Sequence, residues 1–447
     1  MIRVPSLNGK NVVVMGLGKS GTATARALAE SGAKVTAWDD NESARTAAAQ
    51  AGVAIAGPAL AGLDLLVWSP GIPHTHPVEK AHPLAAQARA AGIPIVCDVE
   101  LLARAKPANP MLAVTGTNGK STTTTLLAHV LAHTGRRVAA GGNLGTAALD
   151  MADLGPEGRY VLELSSYQLE LVQSLRLDAA VLLNITPDHL GRHGGMQGYV
   201  AAKRRLFDCV KPDGTAVVGV DDDYCVAIAT ALESQGRKVV RISAEQTLEN
   251  GVSAADGVLR VDGKPVADLR PITRLPGRHN WQNACAVFAL ARADGLAPGA
   301  VIEGLKTYPG LAHRQELVAE IRGVTYINDS KATNADAVEK ALVCYDRIHW
   351  IIGGQAKEGG IASLVPHFDR IKHAYLIGDA AEQFAETLEG QVPYTQCGSL
   401  VMAVTKAAAT AEPGDVVLLS PACASWDQFK SFEHRGDVFR ELVEAQR

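Results

Sequence analysis

The sequence predicts an α/β fold in three domains, each a largely parallel sheet flanked by helices, and three observations carry that expectation. Apolar runs of four to six residues, among them VVVM, LLVWS, YVLEL, AVLLN, WIIGG and VVLLS, alternate with longer Ala- and Leu-rich stretches. Short buried strands separated by helices build βαβ units and hence parallel sheets. Two glycine turns each follow such a strand and open a helix. The chain's 447 residues also exceed what one core usually serves, at about 150 residues per domain.

The first domain is expected over residues 1–98. NVVVMGLGKSGTATARALAESGAKVTAWDD carries Gly16-x-Gly18-x-x-Gly21 after a strand and before a helix, and Asp39 closes the next strand. That context is the Rossmann fingerprint, in which glycines let the backbone turn and approach a diphosphate at a helix N-terminus. Any nucleotide diphosphate satisfies the same physics, so these residues alone leave NAD(P) and other nucleotides open. SPGIP, residues 69–73, follows the strand DLLVWS and reads either as a plain Pro/Gly turn or as a second loop facing the same ligand.

The second domain is expected over 99–310, from the helix-like stretch DVELLARA to Pro309 and Gly310, which break the periodicity. AVTGTNGKSTTTTLLAHV reads as strand, glycine turn and helix. Val114 stands where the Walker A pattern has its first glycine, leaving the shortened Gly116-Thr117-Asn118-Gly119-Lys120-Ser121. The chemistry survives the shortening: the glycines permit a nest of amides, Lys120 reaches outer phosphates, and the Ser121 hydroxyl can join a Mg²⁺ shell. Glu163 ends the strand YVLE, and His189 follows AVLLNI. Both fall after strand ends, where an α/β sheet places its ligand site. Residues 241–270 read as short strands and turns, a hairpin insertion. The third domain, 311–447, repeats the strand–helix alternation.

Composition excludes several classes. Lys plus Arg number 43 against 47 Asp plus Glu, so neither a nucleic-acid footprint nor an acidic tail is present. Seven cysteines without a C-x-x-C pair point to a reducing compartment rather than to disulfides or a zinc cluster. The N-terminus lacks the apolar core of a secretory signal, and no window approaches a membrane span. A cytoplasmic protein is expected.

TGTNGKST, GGNLG, ELSSYQLE, NITPDHL, YVAAKRRLF, GRHNWQNACA, LAHRQE, NDSKATN and LSPACASWDQFKSFEHRG occur in that order, and over essentially the whole chain the sequence resembles the Mur ligases. NDSKATN and SPACASWDQFK match the branch that joins D-glutamate to UDP-N-acetylmuramoyl-L-alanine, and the D-N-P-R stretch of members that add a diamino acid is absent. The resemblance implies a Rossmann-like N-terminal domain, a central P-loop-type ATP-binding domain and a Rossmann-like C-terminal domain. It implies a monomer acting on those two small-molecule substrates with ATP and two Mg²⁺ ions.

By the same resemblance, Gly116, Thr117, Asn118, Gly119, Lys120, Ser121 and Thr122 hold ATP, with Asn283 at the adenine and Arg314, Asp329 and Lys331 around ribose and phosphates. Ser121, Glu163, His189 and Lys203 are the implied metal ligands, and Lys120, His189 and Lys203 the catalytic set. A free ammonium repels a cation; in the family the lysine matching Lys203 is carbamylated by CO₂, which makes it an anionic ligand. The first glycine turn is reassigned to the UDP moiety, with Leu17, Gly18, Asp39, Ser69 and Asn143 as contacts. Thr333 and Lys357 match the α-carboxylate side of the glutamate site, and Ser425 and Phe432 its side-chain end. Ser425 begins Ser-Trp-Asp-Gln, a capping-box spacing that predicts a helix start. Two positions depart from the family: Gly191 stands where Asp is common, and Trp426 where Leu is expected.

Other readings remain at this point. Folylpolyglutamate synthetase shares the phosphate loop and the lysine carbamate but lacks a separate N-terminal UDP domain. An NAD(P)-dependent oxidoreductase accounts for residues 11–40 alone. A non-enzymatic P-loop interaction module leaves two nucleotide sites on one chain without a purpose.

Overall fold

The computed structural model describes residues 1–143, 145–356 and 359–447. Three sheets carry the chain. The first has four parallel strands in the order Lys34–Trp38, Asn11–Met15, Leu65–Trp68, Ile95–Val96. Its central strands are apolar on both faces, as strands covered by helices on two sides must be.

The second sheet has nine strands, with Met111–Thr115 between Arg159–Glu163 and Leu177–Leu182. The hairpin expected between 241 and 270 forms at its edge: Val252–Ser253, Val258–Val261 and Lys264–Asp268 are joined by antiparallel pairing. The third sheet has six strands in the order Glu316–Ile321, Val324–Asn328, Val416–Leu419, Ile348–Gly353, Ile371–Ile377, Tyr394–Gly398, parallel except for the first pair.

The chain forms two compact units: Met1–Leu269 with Asn280–Tyr308, and Arg270–His279 with Pro309–Arg447. The first and second sheets share a unit because one buried apolar cluster runs through both, from Ile2 and Val4 through Trp68 and Leu101 to Tyr160, Phe207 and Leu232. Glu100, fully buried on the helix Asp98–Ala105, ties the two together by accepting from the amides of Gln173 and Ser174 and from the Ser174 hydroxyl. In the second unit, Trp350, Leu376 and Phe384 fill one face of the sheet, while Ile351, Tyr375 and Phe439 fill the other.

One expectation is corrected. The helix expected to begin at Ser425 does not; the carbonyl of buried Ser425 accepts from the amides of Gln428 and Phe429, and that single turn stops. The helix starts at Phe432, because Ser431 accepts from the His434 amide and Glu433 places a negative charge in the first turn. From there Arg435, Phe439 and Val443 recur at four-residue spacing on the buried face.

Within the first glycine turn, a methyl group on Gly21 would overlap the carbonyl oxygen of Gly16, because the helix Lys19–Glu30 packs there directly on the loop. Gly21→Ala should therefore destabilise the first unit by about 3 kcal/mol, the range of forced overpacking. The urea midpoint followed by tryptophan emission measures it, and an unchanged midpoint would mean that the helix shifts freely.

Candidate functional site

The loop between Met111–Thr115 and the helix Lys120–His133 is built for close approach. Gly119 caps the helix at φ 83°, a left-handed conformation suited to glycine. A Cβ there would meet the Asn283 Oδ1 at 2.5 Å. The loop is held from outside: the Thr117 amide donates to the Asn184 carbonyl at 2.9 Å and the Asn118 amide to Asn184 Oδ1 at 2.8 Å. Asn283, 2% exposed, receives the Thr123 hydroxyl at 3.0 Å and donates to Asn280 at 3.1 Å, so its amide braces the loop.

Two lysines meet at one carbonyl. Lys120 Nζ donates to the carbonyls of Gly116 at 2.9 Å and Thr117 at 2.7 Å, and Lys203 Nζ donates to the same Gly116 carbonyl at 2.7 Å. Lys203 is 2% exposed on the helix Met196–Asp208 and lies 4.8 Å from the Tyr199 ring centroid. Burial, and then the Lys120 ammonium, drives its amine well below the usual lysine range.

Glu163 ends its strand buried. Its Oε1 accepts from Asn143 Nδ2 at 2.7 Å, while Oε2 is buried without a hydrogen-bond partner. An orphaned carboxylate oxygen in that position suits a hard cation. Among the described residues no group of three or more His, Cys, Asp or Glu gathers into a metal cluster.

His189 lies seven residues beyond the end of Leu177–Leu182, in a left-handed conformation at φ 53°, and caps the short helix Leu190–His193. Burial holds its imidazole below the ordinary value despite Asp188 beside it, and the Lys120 and Lys203 charges push in the same direction as burial. A Cβ on Gly191 would meet nothing within 4 Å, so packing does not force that departure.

In the first sheet, the Asp39 carboxylate accepts from the Leu17 amide at 2.7 Å and the Asn41 amide at 2.9 Å. The acid thus secures the glycine turn itself. Ser69 follows Leu65–Trp68 at the same sheet edge, its amide bonded to the Met15 carbonyl, and Gly18 caps the helix Lys19–Glu30.

The second unit gathers its residues at strand carboxyl ends too. Asp329, Ser330 and Lys331 follow Val324–Asn328; Pro421–Ser425 follow Val416–Leu419; Gln355 follows Ile348–Gly353 and pairs with Ala424. The Lys331 ammonium lies 4.6 Å from the Phe432 ring centroid. Buried Arg435 fastens these loops by donating to the Ser330 hydroxyl and carbonyl and to the Cys423 carbonyl. Arg314 is half-buried between His313 and Gln315, both at positive φ, and Thr333 is half-buried beyond Lys331. Trp426 is 66% exposed. Lys357 lies outside the described residues.

Sequence reasoning missed several partners. Tyr199 precedes Lys203 by one helical turn, a spacing that puts both on one face, and its hydroxyl meets Thr117 Oγ1 at 3.0 Å. Asn184 braces the 116–121 loop and donates at 3.2 Å to Gln282, a partner from a still later segment.

A shortened phosphate loop between a central parallel strand and a helix, with a lysine and an orphaned acid at neighbouring strand ends, makes this a P-loop α/β protein. The chain belongs to the Mur ligase family. Residues 10–97 match the Mur ligase MurD-like N-terminal domain, 114–291 the Mur ligase middle domain, and 313–423 the Mur ligase glutamate ligase domain. It is 67% identical to the UDP-N-acetylmuramoylalanine–D-glutamate ligase of Paramagnetospirillum magneticum, covering 100% of this chain and 98% of the relative. It is 56% identical to the protein of the same name from Rhodospirillum rubrum, over 97% and 94%. The fold resembles the solved UDP-N-acetylmuramate-alanine ligase of Thermotoga maritima at TM-score 0.62 and 18% identity, covering 98% of this chain and 100% of that one.

Asp329 gives a test of the second unit. Its carboxylate accepts from the Gln315 amide at 3.1 Å and the Ser420 hydroxyl at 2.8 Å, yet burial raises its pKa from 3.8 to about 7. The folded state then binds a proton that the unfolded chain has released, so between pH 4 and pH 7 stability falls as pH rises. Asp329→Asn keeps the shape, and its amide can donate to the Ser420 oxygen. The variant should lose that pH dependence and gain about 1–3 kcal/mol over wild type at pH 8, read from urea unfolding at pH 5 and pH 8.

Proposed function

We propose that this chain joins D-glutamate to UDP-N-acetylmuramoyl-L-alanine at the expense of ATP, in the cytoplasmic synthesis of peptidoglycan precursors, acting as a monomer. The observation that carries this reading is full-length identity of 67% to a relative bearing that activity in its name. No helix among the described residues is long and apolar enough to cross a membrane. The domains divide at 1–98, 99–310 and 311–447, serving the UDP-sugar, ATP and the incoming amino acid in turn.

A carboxylate is a poor acyl electrophile. An oxygen of the L-alanyl carboxylate attacks the γ-phosphorus of ATP, and ADP leaves. The neutral D-glutamate amine then attacks the acyl carbon, phosphate leaves, and the nitrogen releases one proton as the amide forms. Phosphoryl transfer needs alignment and charge neutralisation more than covalent help. The amides from Gly116 to Thr122 cradle the phosphates, and the Lys120 ammonium neutralises the outer ones. Ser121 and Glu163 would hold one Mg²⁺; His189 and a carbamylated Lys203 would hold a second. When bound, Mg²⁺ neutralises charge on the transferring phosphoryl group.

The Lys203 carbamate forms when the neutral amine attacks CO₂, giving an N-carboxylate and one proton. Burial beside Lys120 favours that neutral amine. Leu17, Gly18, Asp39, Ser69 and Asn143 orient the UDP-sugar. Asn283, Arg314, Asp329 and Lys331 serve adenine, ribose and phosphates. Thr333, Lys357, Ser425 and Phe432 orient glutamate, whose two carboxylates call for donors on two sides.

Phosphate release from ATP should require UDP-N-acetylmuramoyl-L-alanine and D-glutamate together; release with L-glutamate or diaminopimelate instead would reassign the acceptor. Lys203→Ala should lower kcat on the order of a thousandfold. Bicarbonate should not restore it, whereas short-chain carboxylic acids should do so in part. Full activity in the alanine variant would remove the carbamate from the mechanism.

A further inference from the structure

Glu170 closes the stretch ELSSYQLE and follows the short helix Ser166–Leu169, yet the reaction as derived gives it no role. Its two oxygens meet imidazoles from two domains, and Oε2 also lies 3.8 Å from Arg192 Nη1. Oε2 lies 3.0 Å from Nε2 of His74, which belongs to the first sheet's loop after Leu65–Trp68. Oε1 lies 2.9 Å from Nδ1 of His193, the last residue of the helix that His189 caps.

The donors can be assigned. Arg89 places an N–H 2.6 Å from His74 Nδ1, and arginine has no acceptor, so that nitrogen accepts. The remaining ring nitrogen, Nε2, therefore carries the hydrogen that points at Glu170. On the other side, a carboxylate can only accept, so His193 Nδ1 donates, leaving Nε2 to meet the Ser166 hydroxyl at 2.9 Å. Burial opposes ionisation of Glu170, but the hydrogen bonds from His193 and His74 outweigh it and hold the carboxyl at about 2.

The tie is reinforced and extended. Arg192, one residue before His193, donates to the Ile72 carbonyl at 3.2 Å and reaches the Pro70 carbonyl at 3.5 Å. The His193 ring stacks on Tyr167 at 5.3 Å between centroids and packs against Tyr199 at 5.4 Å. Tyr199 in turn meets Thr117 of the phosphate loop. One contiguous set of contacts thus runs from the loop at 69–74, through Glu170, to the loop at 116–121.

We propose that Glu170 is a positioning residue: it clamps the 69–74 loop of the first domain to the 189–193 segment of the second, and so sets the acceptor carboxyl of the UDP-sugar against the phosphate loop. This rests on the reading that the first domain holds the UDP-sugar. Glu170 touches neither substrate; it acts through His74 and His193. The clamp rests two charge-assisted bonds on one carboxylate; a carboxamide offers a single neutral acceptor, and its NH₂ is met only if the His193 hydrogen moves to Nε2.

The test uses the full-length enzyme and Glu170→Gln. Calorimetry measures UDP-N-acetylmuramoyl-L-alanine and a non-hydrolysable ATP analogue separately, and steady-state rates give KM for each substrate. The variant should bind the UDP-sugar about 10- to 100-fold more weakly, the scale of a misplaced substrate-holding element. ATP-analogue affinity and KM for ATP should stay within about twofold of wild type. His74→Gln should reproduce the loss, and combining the two should add little. Unchanged UDP-sugar affinity and kcat in Glu170→Gln would overturn the proposal, as would equal weakening of both ligands in a variant that still melts cooperatively. If Glu170→Gln does not melt cooperatively, His74→Gln alone is held to the same two criteria. A wild-type enzyme that bound no UDP-sugar would instead refute the functional reading on which the clamp rests.

Discussion

Two ammonium groups directed at one backbone carbonyl set the terms for the central domain. Lys120 and Lys203 both donate to the Gly116 oxygen, and they come from helices that start far apart in the sequence. Bringing two like charges together away from water is unfavourable unless one is discharged or an anion joins them. The loop glycines allow the carbonyl to face inward, and burial favours the neutral form of Lys203. Much of the surrounding architecture, from the Asn184 bonds to the Tyr199 hydroxyl, keeps that pair in register.

The fold was legible because its signals are local. Apolar runs bounded by glycine turns locate the strands that matter, and the segments around Gly16–Gly21 and Gly116–Ser121 fold as read. Residues of the candidate site within one or two positions of a strand end, such as Glu163 and Ser69, were legible for the same reason. Tyr199 was within reach of the helical spacing that singles out Lys203.

What was not legible depends on partners distant along the chain. His74 and Glu170 are separated by 96 positions, and no spacing rule connects them. Ser425 has the right sequence for a helix start and fails because Ser431 caps a helix whose apolar face has a core to enter. Capping chemistry selects among helices that packing permits; it does not create one. The double role of Asp39, one oxygen holding the Leu17 amide of the glycine turn and the other the Asn41 amide, is likewise a matter of geometry that the fingerprint spacing leaves open.

The segment Arg270–His279 belongs to the second compact unit, although the residues on both sides of it belong to the first. Arg274 donates to the Leu317 carbonyl, and the Cys344 thiol donates to the Pro276 carbonyl. During synthesis these ten residues leave the ribosome well before Leu317 and Cys344. The growing chain therefore carries Arg274 without the Leu317 carbonyl for about forty residues and Pro276 without the Cys344 thiol for about seventy. A truncation at Tyr308 would remove both of these partners, so no single cut of the chain divides the two units.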